Sequence, residues 1–178
     1  MMKEKINWKK ELWEWLKIIL SAAVIALVLN TFIIANSKVP SGSMENTIMT
    51  NDRVIGSRLS YLFDDPQRGD IVIFHYPDNE KIYYVKRVIG LPGETVDIRG
   101  GHVYLNGSEE PLEEEYIREP MIPEEPAHYE VPEGCYFMLG DNRNYSSDAR
   151  VWKNTYVKKK KIVAKVLFRY FPGFKKIE

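Results

Sequence analysis

Two serines stand one residue apart, Ser41 and Ser43, in the stretch VPSGSMENT that spans residues 39–47. A hydroxyl is a weak nucleophile until a neighbouring base takes its proton. Serines are also common in flexible tethers, but Pro40, Met44 and Glu45 make this a poor Gly/Ser linker. Histidine, the usual base, is scarce: the chain has three, His75, His102 and His128, scattered along the sequence. A second candidate base is Lys86, in the run YYVKRVIG. In a strand it shares a face with Ile82, Tyr84 and Val88, while Arg87 shares the other with Tyr83, Val85 and Ile89. A lysine on an apolar face either snorkels at an edge or is buried. Burial disfavours the ammonium and can lower a lysine pKa by as much as about 3–5. The resulting neutral amine can accept a serine proton, a known variant of the nucleophile–base pair.

Such a pair needs a scaffold. The chain has 178 residues, 44% apolar, enough for one domain with a core and an anchor besides. Its formal net charge is zero, which argues against a nucleic-acid partner. Cys135 is the only cysteine, so no intramolecular disulfide forms, and no Cys/His cluster has zinc spacing. The expected chemistry uses no metal or other cofactor.

From Ile18 to Ser37 twenty residues carry no charge, a span of about 30 Å if helical, matching a bilayer core. Trp13 and Trp15 fall where interfacial aromatics belong. Five lysines (3, 5, 9, 10 and 17) precede the span against three glutamates (4, 11 and 14), placing the N-terminus in the cytoplasm and the rest outside. Two alternatives compete. A cleaved signal peptide would have a shorter apolar region, with ANS at 35–37 mimicking its cleavage site. A buried core helix would seldom be apolar on every face.

The remainder reads as β. DIVIFHY (70–76) and KIYYVKRVIGL (81–91) are rich in β-branched and aromatic residues and are separated by the turn composition PDNE. LPGE at 91–94 is a further turn, and Asn106-Gly107 is the strongest short hairpin signal. A short apolar strand follows VPEG, and residues 160–171 read as a late strand, with a helix as the alternative. The acidic stretch 108–126, with four prolines, reads as an extended surface excursion. The fold class is mainly β: an N-terminal transmembrane helix, then an antiparallel barrel or folded sheet. The expected parts are a cytoplasmic segment 1–17, a transmembrane helix 18–37 and an extracytoplasmic domain 38–178.

Taken together, the anchor, PSGSM (40–44), RGDIVIF (68–74), YYVKRVIGLPG (83–93) and LGDNRNYSSDAR (139–150) resemble the bacterial type I signal peptidases of peptidase family S26. These are membrane-anchored serine endopeptidases that remove signal peptides from exported preproteins. The motifs occur in the family's order, and the short chain looks like the compact Gram-positive form. The resemblance implies Ser43 as nucleophile and Lys86 as general base. It implies an oxyanion site from the Ser41 hydroxyl and the Ser43 N–H, and Ser146 bonding and orienting the lysine. Arg87, Asp141, Arg143, Asp148 and Arg150 are implied as an ion-pair scaffold. Val39, Met44, Tyr84 and Val85 are expected to contact the substrate in shallow pockets that take small side chains, as in A-x-A sites. The implied partners are preprotein signal peptides, membrane lipid and, functionally, the export translocon, at the plasma membrane. Asn46, Asn144 and Tyr145 depart from the residues common in the family, and so does the sequence after Val151.

Other readings use the same residues. A Ser-His-Asp hydrolase would employ His75 or His102 with Asp141, but the chain has no G-x-S-x-G elbow. A self-cleaving repressor-type protease shares the Ser–Lys pair but needs no anchor. A membrane-tethered β-domain could bind partners through Arg68-Gly69-Asp70 without catalysis.

Overall fold

The computed structural model describes residues 7–177; the expected contributions of Lys3, Glu4 and Lys5 lie outside these. Helix α1 runs Trp8–Val28, with the Asn7 side chain accepting from the Lys10 N–H at 3.3 Å. One wider π turn, Leu29–Ile33, carries it on. The whole helical span, Trp8–Ile33, has 26 residues; its most apolar 18-residue stretch has a mean hydropathy of 2.3, none of it buried against the rest of the chain. At 1.5 Å per residue it is about 39 Å long, enough to cross a bilayer. The helix stops at Ile33, short of the expected end at Ser37: residues 34–37 are extended. β-branched Ile34, then Asn36 and Ser37, are poor helix formers, and a partner strand satisfies their backbone groups instead.

The strands are β1 (Ile34–Lys38), β2 (Arg53–Ser57), β3 (Ile71–His75), β4 (Tyr83–Gly90), β5 (Thr95–Arg99), β6 (His102–Leu105), β7 (Ala127–Glu130), β8 (Cys135–Leu139), β9 (Val157–Lys158), β10 (Ile162–Phe171) and β11 (Lys175–Lys176). One antiparallel sheet has the order β1-β2-β10-β3-β4-β8-β9, with β11 beside β10. A smaller sheet has the order β6-β5-β7. The large sheet folds over without closing into a barrel, and the late stretch 162–171 is a strand.

Strand β3 explains the fold. Ile71, Val72, Ile73 and Phe74 are all buried, because both faces are covered. Val72 and Phe74 join Val88, Tyr136, Phe137, Leu139 and Trp152 in one cluster. Ile71 and Ile73 join Ala35, Val39, Met44, Ile48 and Val166 in a second. Period-two alternation thus sorts one apolar run into two cores.

The β5–β6 hairpin turns at Gly100 and Gly101, with φ of 58° and 80°, the left-handed values a two-residue turn of this kind requires. The expected hairpin at Asn106-Gly107 is only a turn: both residues have positive φ, at 52° and 72°, but no strand returns. The chain beyond is acidic and proline-bearing, without the alternation or donors a new strand needs. After one bond from the Leu112 N–H to the Val103 carbonyl, it leaves the sheet.

Candidate active site

The serine pair sits just past β1. Ser41 is extended (φ −126°, ψ 157°), and Gly42–Met44 form a single 3₁₀ turn that tucks Ser43 to 6% exposure. The turn is held from outside. The Asn142 N–H donates to the Ser43 carbonyl at 3.1 Å, and Asn142 Nδ2 donates to the Gly42 carbonyl at 2.9 Å. Gly140 packs against the same carbonyl: a Cβ there would lie 2.4 Å from the Ser43 oxygen and 2.2 Å from Ser146 Oγ. Only a glycine lets the two loops meet this closely.

Lys86, 3% exposed, lies in the centre of β4 opposite Val72 of β3. Its Nζ and Ser43 Oγ are joined by a short hydrogen bond. The Tyr84 ring centroid lies 5.5 Å from the amine. Desolvation pulls the lysine pKa down to about 8; Asp148 and Asp141 oppose this by raising it, and Arg150 adds to the lowering. Ser41 Oγ stands 3.5 Å from Ser43 Oγ. Ser146 departs from expectation. Its Oγ is buried and has no hydrogen-bond partner among the described residues, so the expected bond to Lys86 is not formed. The lysine's bond goes to Ser43 instead.

The charged residues surround the pair without entering the groove. Arg87 clasps Asp141 through Nε at 2.8 Å and Nη2 at 2.7 Å, both side chains being buried. Its Nη1 donates to the Gly69 carbonyl at 2.7 Å, and Thr47 Oγ1 donates to Asp141 at 2.5 Å. Asp148 accepts from the Gly140 N–H at 3.1 Å and pairs with Arg150 at 2.9 Å. Arg143 Nε donates to the Gly140 carbonyl at 3.0 Å. These bonds brace the backbone on which Ser43 rests.

A groove of about 410 Å³ runs up to the pair, with segment 37–41 on one wall, segment 82–86 on the other, and Tyr145 and Ser147 at the side. Both walls are free strand edges: among the described residues β1 pairs only with β2, and residues 83–86 only with β3. Val39, Tyr84 and Val85 line it as expected. Met44 does not. It is fully buried in the second core, because the 3₁₀ turn that presents Ser43 points the next side chain inward. Sequence reasoning missed Tyr145, Ser147 and Asn142 as groove or turn contacts, since nothing local marks them.

The competing chemistries lose their residues to the fold. No histidine lines the groove. His75 Nδ1 contacts the Glu80 carbonyl at 2.6 Å, and the Asp141 oxygens are taken by Arg87 and Thr47. In the Arg-Gly-Asp triplet, Arg68 pairs with Glu94 at 2.6 Å and Asp70 with Lys165 at 2.5 Å.

The fold and site thus combine a serine hydrogen-bonded to a buried lysine of lowered pKa, a groove between two free strand edges and a folded antiparallel sheet. The chain matches the family "Signal peptidase, peptidase S26" over residues 12–171. A probable signal peptidase I-1 of Synechocystis is 40% identical over 172 residues, covering 90% of this chain and 85% of that one. Signal peptidase I of Leptolyngbya laminosa is 41% identical, with 90% and 80% covered. Signal peptidase I of Bacillus licheniformis is 35% identical, with 97% and 96% covered. The chain belongs to the signal peptidase family, peptidase S26, and is an enzyme of the signal peptidase I type.

Proposed function

We propose that this chain is a membrane-anchored endopeptidase that cuts signal peptides from exported preproteins after small-residue, A-x-A-like sites, with Ser43 as nucleophile and Lys86 as base. The observation that carries the reading is the hydrogen bond between Ser43 Oγ and the desolvated Lys86 amine. The substrate lies extended between β1 and β4, where main-chain pairing to the two free edges tolerates varied sequence. Val39 and Val85 narrow the groove and favour small side chains.

In the first step Ser43 Oγ bonds to the scissile carbonyl carbon while its proton passes to Lys86 Nζ. The Ser43 N–H and the Ser41 hydroxyl hold the oxyanion. The C–N bond then breaks as Lys86 returns the proton to the leaving amine. Water then attacks the resulting ester with Lys86 taking its proton, and the C–Oγ bond breaks as Lys86 passes that proton to Ser43 Oγ, which frees the new carboxyl end and restores the pair. Helix α1 spans the plasma membrane with its lysine-rich end in the cytoplasm. Nine residue steps from Ile34 to Ser43 reach at most about 30 Å, so the site works near the outer membrane interface beside lipid and the export translocon.

The test is cleavage of a preprotein carrying an Ala-x-Ala site by the purified full-length chain in detergent. Cutting at that site is expected; an intact preprotein after prolonged incubation overturns the reading. Activity needs the neutral amine, so kcat/KM rises with pH through about 8 and is lost as pH falls below it. A flat profile between pH about 7 and 9, with the amine titrating near its ordinary 10.5, removes Lys86 from the role of base. Ser41→Ala lowers kcat by about ten- to a thousand-fold with a smaller effect on KM, as expected of a group that binds charge developing in the transition state. A raised KM at constant kcat reassigns Ser41 to substrate binding.

A further inference from the structure

The acidic excursion 108–126 has no regular secondary structure, yet from Glu114 to Ile122 it is bonded to the loops around the dyad. Glu114 grips Arg143 with both carboxylate oxygens, one bond measuring 2.8 Å, with the two side chains 7% and 1% exposed. Arg143 passes this hold to the Gly140 carbonyl, and Gly140 lies against the Ser43 carbonyl with no room for a Cβ. Tyr116 reaches the other half of the pair. Its ring lies 3.8 Å from the guanidinium carbon of Arg87, the residue after Lys86, and its hydroxyl donates to Glu114 at 2.7 Å. The Arg118 N–H donates to the Asp141 carbonyl at 3.2 Å, while its side chain pairs with Glu45 at 2.5 Å.

Two of the departures from the family's common residues hold the same segment. Asn46, with φ of 87°, donates through Nδ2 to the Tyr116 carbonyl at 3.2 Å. Asn144 accepts from the Ile122 N–H at 2.9 Å and donates to the Pro120 carbonyl at 3.1 Å. The segment therefore touches the loop after Ser43, the loop carrying Asn142 and Arg143, and Arg87. None of its residues lines the groove.

We propose that residues 114–122 form a positioning strap, in which Glu114 acts through Arg143 on Ser43, and Tyr116 acts through Arg87 on Lys86. The inference rests on the serine–lysine reading above. One strap reaching both members of the pair fixes their separation, and misplacement by about 1 Å costs catalysis about a hundredfold. Because the strap touches neither the groove walls nor the reacting atoms, its loss lowers kcat and spares KM.

The experiment measures kcat and KM of the full-length enzyme on a preprotein, at a temperature where every variant is folded. Glu114→Gln keeps the side-chain size and removes the charge on Arg143's partner. Its kcat is expected to fall about 30- to 100-fold, with KM within about threefold of wild type. Glu94→Gln, which weakens the Arg68–Glu94 pair away from the groove, is the control for a purely structural effect. It lowers thermal stability and leaves kcat unchanged. If Glu114→Gln does not fold, Tyr116→Leu and Asn144→Ala loosen the strap without stranding a buried charge. They are expected to lower kcat about five- to tenfold at constant KM. Folded strap variants with wild-type kcat, or with a raised KM alone, overturn the strap and leave the peptidase reading standing. A wild-type chain that cleaves no preprotein overturns both.

Discussion

Ser43→Ala and Lys86→Met each lower preprotein cleavage by at least about a thousandfold, because each removes one half of a unit that works only as a pair. In the proposed mechanism Ser43→Ala deletes the oxygen that bonds to the scissile carbon, and Lys86→Met keeps the length of the buried side chain but deletes the proposed base. Lys86→Arg is equally inactive, since a guanidinium stays protonated and cannot accept the serine proton. Cleavage by either purified variant at more than about a tenth of the wild-type rate would remove the pair from the mechanism.

The two central variants differ in stability. With a folded pKa near 8 against an ordinary 10.5, the native state binds fewer protons than the unfolded chain between those values. As pH falls from about 10.5 to about 8 the lysine's cost to the fold grows, and below that it levels off. The drop corresponds to about 3 kcal/mol. Lys86→Met is therefore expected to melt higher than wild type at pH 7, by a margin that shrinks as pH rises from about 8 to about 10.5. Thermal melts at two pH values check this. A variant less stable than wild type at pH 7 would mean the amine is not held neutral at a cost. A stable but inactive variant is the signature of a residue kept for chemistry.

The second large effect is on the fold. Asp141→Asn leaves the Arg87 guanidinium, 3% exposed, facing a neutral partner. Removing one member of a buried pair costs about 3–5 kcal/mol, because the remaining charge is out of water and uncompensated. For a domain of this size that lowers Tm by about 10 °C. The double replacement Arg87→Met with Asp141→Leu restores most of that stability, since no charge is then stranded. The single variant has a catalytic signature too. The Asp141 carboxylate raises the Lys86 pKa, so its loss moves the pH of half-maximal activity below about 8. Chemical denaturation and a pH–rate profile read the two effects separately. A melting temperature equal to wild type would show that the pair is solvated.

How much of this was legible depended on the range of the interaction. Strands β3 and β4 were readable, because β-branched and aromatic residues fill 70–76 and 81–91 and a turn composition separates them. The apolar helix was readable from its length, but its end was not. Ile34–Lys38 extend because β2 offers them a ladder, which no local property announces. The Asn106-Gly107 signal produced its turn but not a hairpin, since a hairpin needs a second strand and the sequence that follows supplies none.

At the site, the sequence by itself determined which groups are available: a serine beside a glycine in a non-linker stretch, a lysine in an apolar strand, and a cluster of acids and arginines near the C-terminal side. Residue type sets what each can do, so a candidate nucleophile and a candidate base could be named before any contact was known. The tertiary structure decided where each points. It buried Met44, left Ser146 without the lysine as partner, and brought Asn142 to the Ser43 carbonyl. It also turned residues 114–122 from an acidic surface stretch into a brace, by giving Glu114 a buried arginine 29 positions away. The physical reason is that the meaning of a charge depends on its solvent and its partner. Both are set by chain segments far apart in sequence, and they exist only once the sheet has folded over.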